Sequence, residues 1–428
     1  MTMKTIAKNV FLLYNRVVGG NTKQVNAYKE ENSMKKSVAS IAALMLMGSL
    51  TGCSSDKGEK KEEGKVVVEI QAEANHAPYY EAVAKEFEAE NENIDIKIVE
   101  SAMFDVLDSL PTKKGNTVDI MMVPNDRIGD LSQQKLIKAV DVDLSKYTST
   151  AQTAATFDGE TYFLPMSTDT TLLFYNKNVT EKEPATLAEL TPAEFAAKWT
   201  DFYVTAGLFY SNDGYIFGDG NADVADIGLA NAGSVAAGNV IKKLYDSGDA
   251  TWAALKEEAA GYDVMIKDFI EGRKGYVIDG PWKVADFEKG GLAADKLGFM
   301  PIPSWDGTNG YKPLAGTKGL TINAYSEEVE EAQKFLEFMA TKDYATKWFE
   351  MTKEVNPHTE VVYEDGTLAS VVLEATSQAT SMPGDPAFGK CWVPMADALK
   401  QIANGGEVEA SLKAAVEAID ADIKAMAE

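Results

Sequence analysis

Histidine and cysteine are scarce in this chain. With two histidines, His76 and His358, and two cysteines, Cys53 and Cys391, a Cys/His zinc cluster lacks ligands and a disulfide framework lacks thiols. Neither histidine lies in a nucleophile motif, so Ser-His or Cys-His catalysis has no anchor, and no metal or cofactor is expected. Positive charge is also short: 41 Lys/Arg stand against 66 Asp/Glu, for a net charge of −25. Residues 1–52 are themselves basic, with seven Lys/Arg against two Glu, so the remainder is more acidic than the total implies. Such a surface repels phosphate backbones and anionic headgroups, which argues against a nucleic-acid partner or a polybasic membrane patch. The apolar run over 38–50 falls short of the roughly 20 residues a transmembrane helix needs. No internal repeat is visible, and the one low-complexity stretch is a charged segment after Cys53.

What is present begins with an address. From Met34 the chain reads Lys35-Lys36, then the apolar run, then Leu50-Thr51-Gly52-Cys53. A basic start, a short apolar stretch and small residues before a cleavage point make a secretory signal. Small residues directly before a cysteine are similar to the bacterial lipobox, which makes Cys53 the lipidated first residue of the mature chain, 34–53 being signal and lipobox. Residues 1–33 lie upstream of a complete signal and read as a start-site extension or an unusually long leader. Residues 54–65 offer nothing apolar to bury and read as a charged tether.

The 428 residues exceed what one core usually serves, so two lobes are expected. Val66-Val67-Val68-Glu69-Ile70 suits a buried strand, 79–90 has helical spacing, and 94–99 and 118–123 read as further strands. That alternation predicts a parallel α/β layer fold. Ligands in such sheets sit beyond the carboxyl ends of strands, which points to Pro124-Asn125-Asp126-Arg127. Helices are expected over 192–199, 232–247, 252–260, 327–341 and 408–428. A strand is expected over 275–279, ending in Gly280-Pro281-Trp282, with another over 319–323.

Several motifs recur in one order: Phe87-Glu88, Asp119-Ile120 before Asp126-Arg127, Leu164-Pro165 before Phe174-Tyr175-Asn176-Lys177, Gly280-Pro281-Trp282, and Met382-Pro383 before Trp392. From about Val66 to the end the chain resembles the maltose/maltodextrin-binding proteins of bacterial ABC importers, within the family 1 extracellular solute-binding proteins. The resemblance implies a periplasmic-binding-protein-like α/β fold, two discontinuous lobes joined by a hinge crossed three times. The first lobe would hold 66–167 and 317–367, and the second 168–316 and 368–428. It also implies a monomer that closes over a malto-oligosaccharide and docks on an ABC permease with a cytoplasmic ATPase, held outside the cell membrane by the lipid on Cys53.

A glucan presents flat C–H faces that pack on aromatic rings and a rim of hydroxyls that donate and accept hydrogen bonds. By position and type, the resemblance assigns Asp126, Arg127, Asp169 and Asp201 to hydroxyls and Tyr203, Trp282 and Trp392 to stacking, with Asn75 where the family often has Lys. Asp169 is short, so its bond to sugar is expected to run through water. Trp199, Trp252, Trp305 and Trp348 are assigned to the core. Val123, Val393 and Ala396 stand where the family can carry Trp, Tyr and Arg, which suggests a different preference in chain length or glucan modification. Two alternatives stay open at this stage. The same fold could serve galacto-, xylo- or other plant oligosaccharides, or Asp126 and Asp169 could be the paired carboxyls of a glycoside hydrolase. The resemblance implies no catalytic residue.

Overall fold

The computed structural model describes residues 64–426. The signal, Cys53 and all but the end of the expected tether lie outside this range. Two hydrophobic cores form, each assembled from separated stretches of chain. One joins Val68, Phe87, Ile120 and Phe163 to Leu320, Phe335 and Trp348. The other joins Phe174, Phe195, Trp252 and Val277 to Leu314, Val372, Leu399 and Leu412.

The first core is built on a seven-stranded sheet. Val66–Ala72 pairs in parallel with Ile94–Glu100 and with Ile120–Pro124. Of the β-branched run at 66–70, Val68 and Ile70 are buried on this sheet while Val67 is exposed, and Ala77–Glu90 packs Tyr79, Tyr80, Val83 and Phe87 into the same core. The three strands read from the alternation pair in parallel as expected, and a later strand makes the sheet mixed. Leu314–Asn323 runs antiparallel to both Ile120–Pro124 and Leu164–Thr170. A chain that returns from the other lobe enters the sheet from its opposite end, which forces the reversed direction.

The second core holds a four-stranded sheet in the order Leu297–Met300, Leu172–Asn176, Tyr276–Asp279, Phe195–Ala197. The Phe195–Ala197 strand overturns the helix expected over 192–199. Glu194 closes a single turn by accepting from Thr191, and the chain then pairs in parallel with Tyr276–Ile278. Pairing the edge of that sheet and burying Phe195 and Trp199 outweigh the helical preference of Ala196 and Ala197. The helix expected over 252–260 is likewise two: Ala250–Ala254, capped by Asp249, and Glu258–Ile270. Trp199, Trp252 and Trp348 are fully buried, and Trp305 packs partly buried against the second core, as expected.

Three crossings join the cores. Leu164–Thr170 belongs to the first sheet and Leu172–Asn176 to the second, with Thr171 alone between them. Leu314–Asn323 starts in the second core and ends in the first, whose Leu320 and Ile322 it supplies. The third crossing follows the helix Lys342–Thr352. Its Val355 carbonyl accepts from the Thr168 N–H at 2.8 Å, and Asn356 Nδ2 donates to the Met166 carbonyl at 2.9 Å. The helix Leu368–Gln378 then enters the second core through Val372 and Ala375. Among the described residues no helix is long and apolar enough to cross a membrane.

Gly319 lies where the middle crossing slips register against Leu164–Thr170. A Cβ there would stand 2.1 Å from the Phe163 ring and 2.4 Å from the Leu164 carbonyl oxygen. Gly319→Ala is expected to lower unfolding free energy by about 1–3 kcal/mol through overpacking. Gly389→Ala, with nothing within 4 Å of the added Cβ, should change it by less than about 0.5 kcal/mol. Chemical denaturation of the two variants checks the contrast.

Candidate functional site

The strand Ile120–Pro124 ends in a 3₁₀ turn, Asn125–Arg127, that carries Asp126 and Arg127 on the first lobe. Asn125 is buried and fixes this turn: its Nδ2 donates to the Met382 carbonyl at 2.6 Å and its Oδ1 accepts from the Thr317 N–H at 3.1 Å. Asp126 faces the second lobe. Its Oδ2 accepts from the indole N–H of Trp392 at 3.2 Å. Burial pushes the Asp126 carboxyl up, while the Trp392 bond and the Arg127 charge pull against it. Arg127 Nη2 donates to Asp108 at 2.7 Å, but its Nε is buried without a hydrogen-bond partner. A buried N–H of this kind is costly unless something accepts from it.

The second-lobe half of the site is aromatic. Tyr203 is the second residue of the helix Phe202–Tyr210, which Asp201 caps by accepting from the Tyr203 N–H at 3.0 Å. Asp201 is thus a cap as well as a candidate ligand. The Tyr203 and Trp282 rings lie 6.0 Å apart, tilted by 53°. Trp282 follows the strand Tyr276–Asp279 across Gly280-Pro281 and is 46% exposed, against none for Trp199, Trp252 and Trp348, so it is open to a ligand. Trp392 opens the helix Trp392–Ala403 and is held edge-on by Phe202 and Phe388.

Asp169, near the end of the first crossing, ties the halves together. Its Oδ1 accepts from the Tyr203 hydroxyl and its Oδ2 from Lys318, both at 3.2 Å. Asn75 is exposed and donates to Glu354 Oε1 at 3.3 Å, the same oxygen that meets His76 Nε2 at 2.7 Å. Burial raises the Glu354 carboxyl, yet its bond to His76 and the His76 and Lys318 charges hold it below the usual range. Val123 is wholly buried and Val393 is 72% exposed. Ala396 lines a cavity of about 490 Å³ with Asp201, Phe202, Tyr262, Trp392 and Lys400.

Sequence reasoning missed four side chains placed around these residues: Lys318, Glu354, Tyr262 and Asp279. Tyr262 donates to the buried Asp279 Oδ2 at 2.7 Å, and Lys198 and Lys283 lie over its ring at 5.5 and 4.9 Å. Asp279 ends the strand that leads to Gly280-Pro281-Trp282, a position that marked it for attention. Lys318 and Glu354 carried no local signal.

A model of the bacterial extracellular solute-binding proteins matches residues 82–418. The chain belongs to that family. This solute-binding protein is 31% identical to the maltodextrin-binding protein MdxE of Bacillus subtilis (strain 168), over 91% of its own length and 98% of the relative's. It is 28% identical to a maltooligosaccharide ABC transporter solute-binding lipoprotein of Streptococcus pneumoniae (serotype 4, strain TIGR4), covering 86% of this chain and 91% of that one. Among solved structures it matches a maltose-binding periplasmic protein from Listeria monocytogenes in complex with maltose. The TM-score is 0.76 at 28% identity, over 84% of this chain and 98% of that one. The two-lobed fold expected from the sequence is therefore the fold of the family.

Burial lifts the Asp279 carboxyl to about 6, against the pull of the Tyr262 hydroxyl and the Gly280 N–H. The folded protein then holds this proton more tightly than the unfolded chain, so the contribution of Asp279 to stability rises as pH falls from neutral through 6 towards the ordinary carboxylate range. Asp279→Asn is expected to lack that increment. Thermal unfolding of both forms between about pH 8 and about pH 5 reads it, and parallel profiles would refute it.

Proposed function

We propose that this solute-binding protein is the lipid-anchored capture subunit of an ABC importer and takes malto-oligosaccharides by lobe closure. The observation that carries this reading is the bond from Trp392 to Asp126. It sets a first-lobe carboxylate against a second-lobe indole, beside the Tyr203–Trp282 pair. Carboxylates and a guanidinium on one side serve sugar hydroxyls, and aromatic faces on the other serve the ring's C–H surfaces. The names of the relatives support an α-glucan as the sugar.

The mechanism follows from the hinge. Lobes dividing at 167/168, 316/317 and 367/368 would move as rigid bodies about the three crossings. Asp126 and Arg127 travel with one lobe, and Tyr203, Trp282 and Trp392 with the other. A sugar that touches both sets gains contacts only when the lobes close, so binding shifts the population to the closed form. The closed form then docks on the membrane subunits of the permease, and opening releases the sugar. The lipid on Cys53 keeps the protein near that permease and replaces diffusion from bulk with a high local concentration.

Calorimetric titration from maltose to maltoheptaose, with galacto- and xylo-oligosaccharides as competitors, tests the ligand. Binding confined to the α-glucans is the expected result, and a galacto- or xylo-oligosaccharide preference would replace it. Trp282→Ala should lower affinity at least about tenfold, roughly 1.4 kcal/mol. Maltoheptaose should survive prolonged incubation, since shorter products would favour the hydrolase reading. Cys53→Ser should move the protein from the membrane fraction to the medium, as membrane fractionation with immunoblotting would read.

A further inference from the structure

Lys318 lies in the middle crossing, with Ser167 opposite it on one neighbouring strand and Pro124 on the other. Pro124 leads into Asn125–Arg127, and Ser167 lies two residues before Asp169. Residues directly opposite in an antiparallel pair share a face of the sheet, as do residues two apart on one strand. Lys318, Asp169 and Gly316 therefore share a face, between the two loops that carry the first-lobe and hinge candidates. The absence of a side chain at Gly316 matters here. A Cβ there would stand 3.1 Å from Asp169 Oδ1 and 3.4 Å from the Tyr203 hydroxyl, crowding the bond between them.

An ammonium carries three donors. Lys318 gives one to Asp169, and among the described residues the other two have no acceptor. The Lys318 side chain keeps 36% of its surface open and Asp169 keeps 19%, so neither is sealed in the hinge. Glu354 and Glu73 act on Lys318 through charge, but among the described residues neither bonds to its ammonium, and one Glu354 oxygen is taken by His76 and Asn75. Asp169 has used one site on each oxygen, and each oxygen retains a second lone pair. The cluster thus offers an open cationic donor beside an open anionic acceptor. Two neighbouring hydroxyls on a sugar ring fit that pair, because one can accept from the ammonium while the other donates to the carboxylate.

We propose that Lys318 is a ligand-contacting residue, and that Lys318, Asp169 and Tyr203 together recognise a vicinal diol of the bound sugar. The cluster draws on the first crossing, the middle crossing and the second-lobe helix, so a sugar held there bonds to the hinge itself. This inference rests on the oligosaccharide reading above. It adds a residue that neither the sequence pattern nor the family resemblance assigned.

The test uses the full chain, with Lys318→Met, Lys318→Arg and monodeoxy analogues of maltotriose in calorimetric titrations. Lys318→Met should weaken maltotriose binding at least about tenfold, and Lys318→Arg should restore part of that loss. One monodeoxy analogue should bind the wild type more weakly than maltotriose does, yet cost nothing further in Lys318→Met. That non-additivity marks a direct contact, which a merely structural lysine would not give. Maltotriose binding within about twofold of wild type in Lys318→Met would overturn the proposal, as would additive losses for every analogue. If Lys318→Met fails to fold, amine acetylation of the wild type decides: maltotriose should protect Lys318 and leave exposed Lys97 unprotected, and equal labelling with and without sugar overturns it. A wild type that binds no glycan of the panel defeats the oligosaccharide reading itself, an outcome distinct from binding that ignores Lys318.

Discussion

The strand Leu314–Asn323 answers to two cores at once. Its first residue is buried in one lobe and its last residues in the other. Its pairing with Leu164–Thr170 holds two of the crossings side by side, and the third is fastened to them by Val355 and Asn356. Main-chain pairing ties two of the crossings, and one main-chain and one side-chain bond tie the third to them. The placement of Asp126, Asp169 and Tyr203 depends on this, since Asp126 follows the strand on one side of it, Asp169 belongs to the strand on the other, and Tyr203 reaches it through Asp169.

Polar chemistry follows the same line. His76, Glu354, Lys318, Asp169 and Tyr203 alternate as partners or close charges from the first sheet, through the hinge, to the second lobe. Each member is partly desolvated, so removing one would leave a neighbour exposed to the cost of an uncompensated charge. The aromatic groups, by contrast, are fixed by packing: Trp392 by Phe202 and Phe388, and Trp282 by a strand end and a Gly-Pro turn. The site therefore joins an electrostatically held edge to a sterically held one.

Much of this was legible in the residues. The β-branched runs at 66–70 and 94–99 announced strands, and Gly280-Pro281-Trp282 announced an indole at a strand end. Asp126, Arg127, Tyr203 and Trp392 were reached through the ordering of weak motifs over the whole chain. What escaped was set by distance along the chain. Lys318 meets a partner 149 residues away, and His76 meets Glu354 across 278. No periodicity or spacing records such a meeting. The 195–197 strand escaped for a different reason: its alanines suit a helix, and only the vacant edge beside Tyr276–Ile278 makes a strand of it.

Thr171, the lone residue between a strand of the first sheet and a strand of the second, has a thermodynamic consequence. A flexible connector would hold many conformations in the open state and would have to surrender them on closure, at about 1–2 kcal/mol per ordered residue. A one-residue joint has almost nothing to surrender. At this crossing, the free energy a ligand gains by bridging the lobes goes into holding them together, with little lost to quieting the joint.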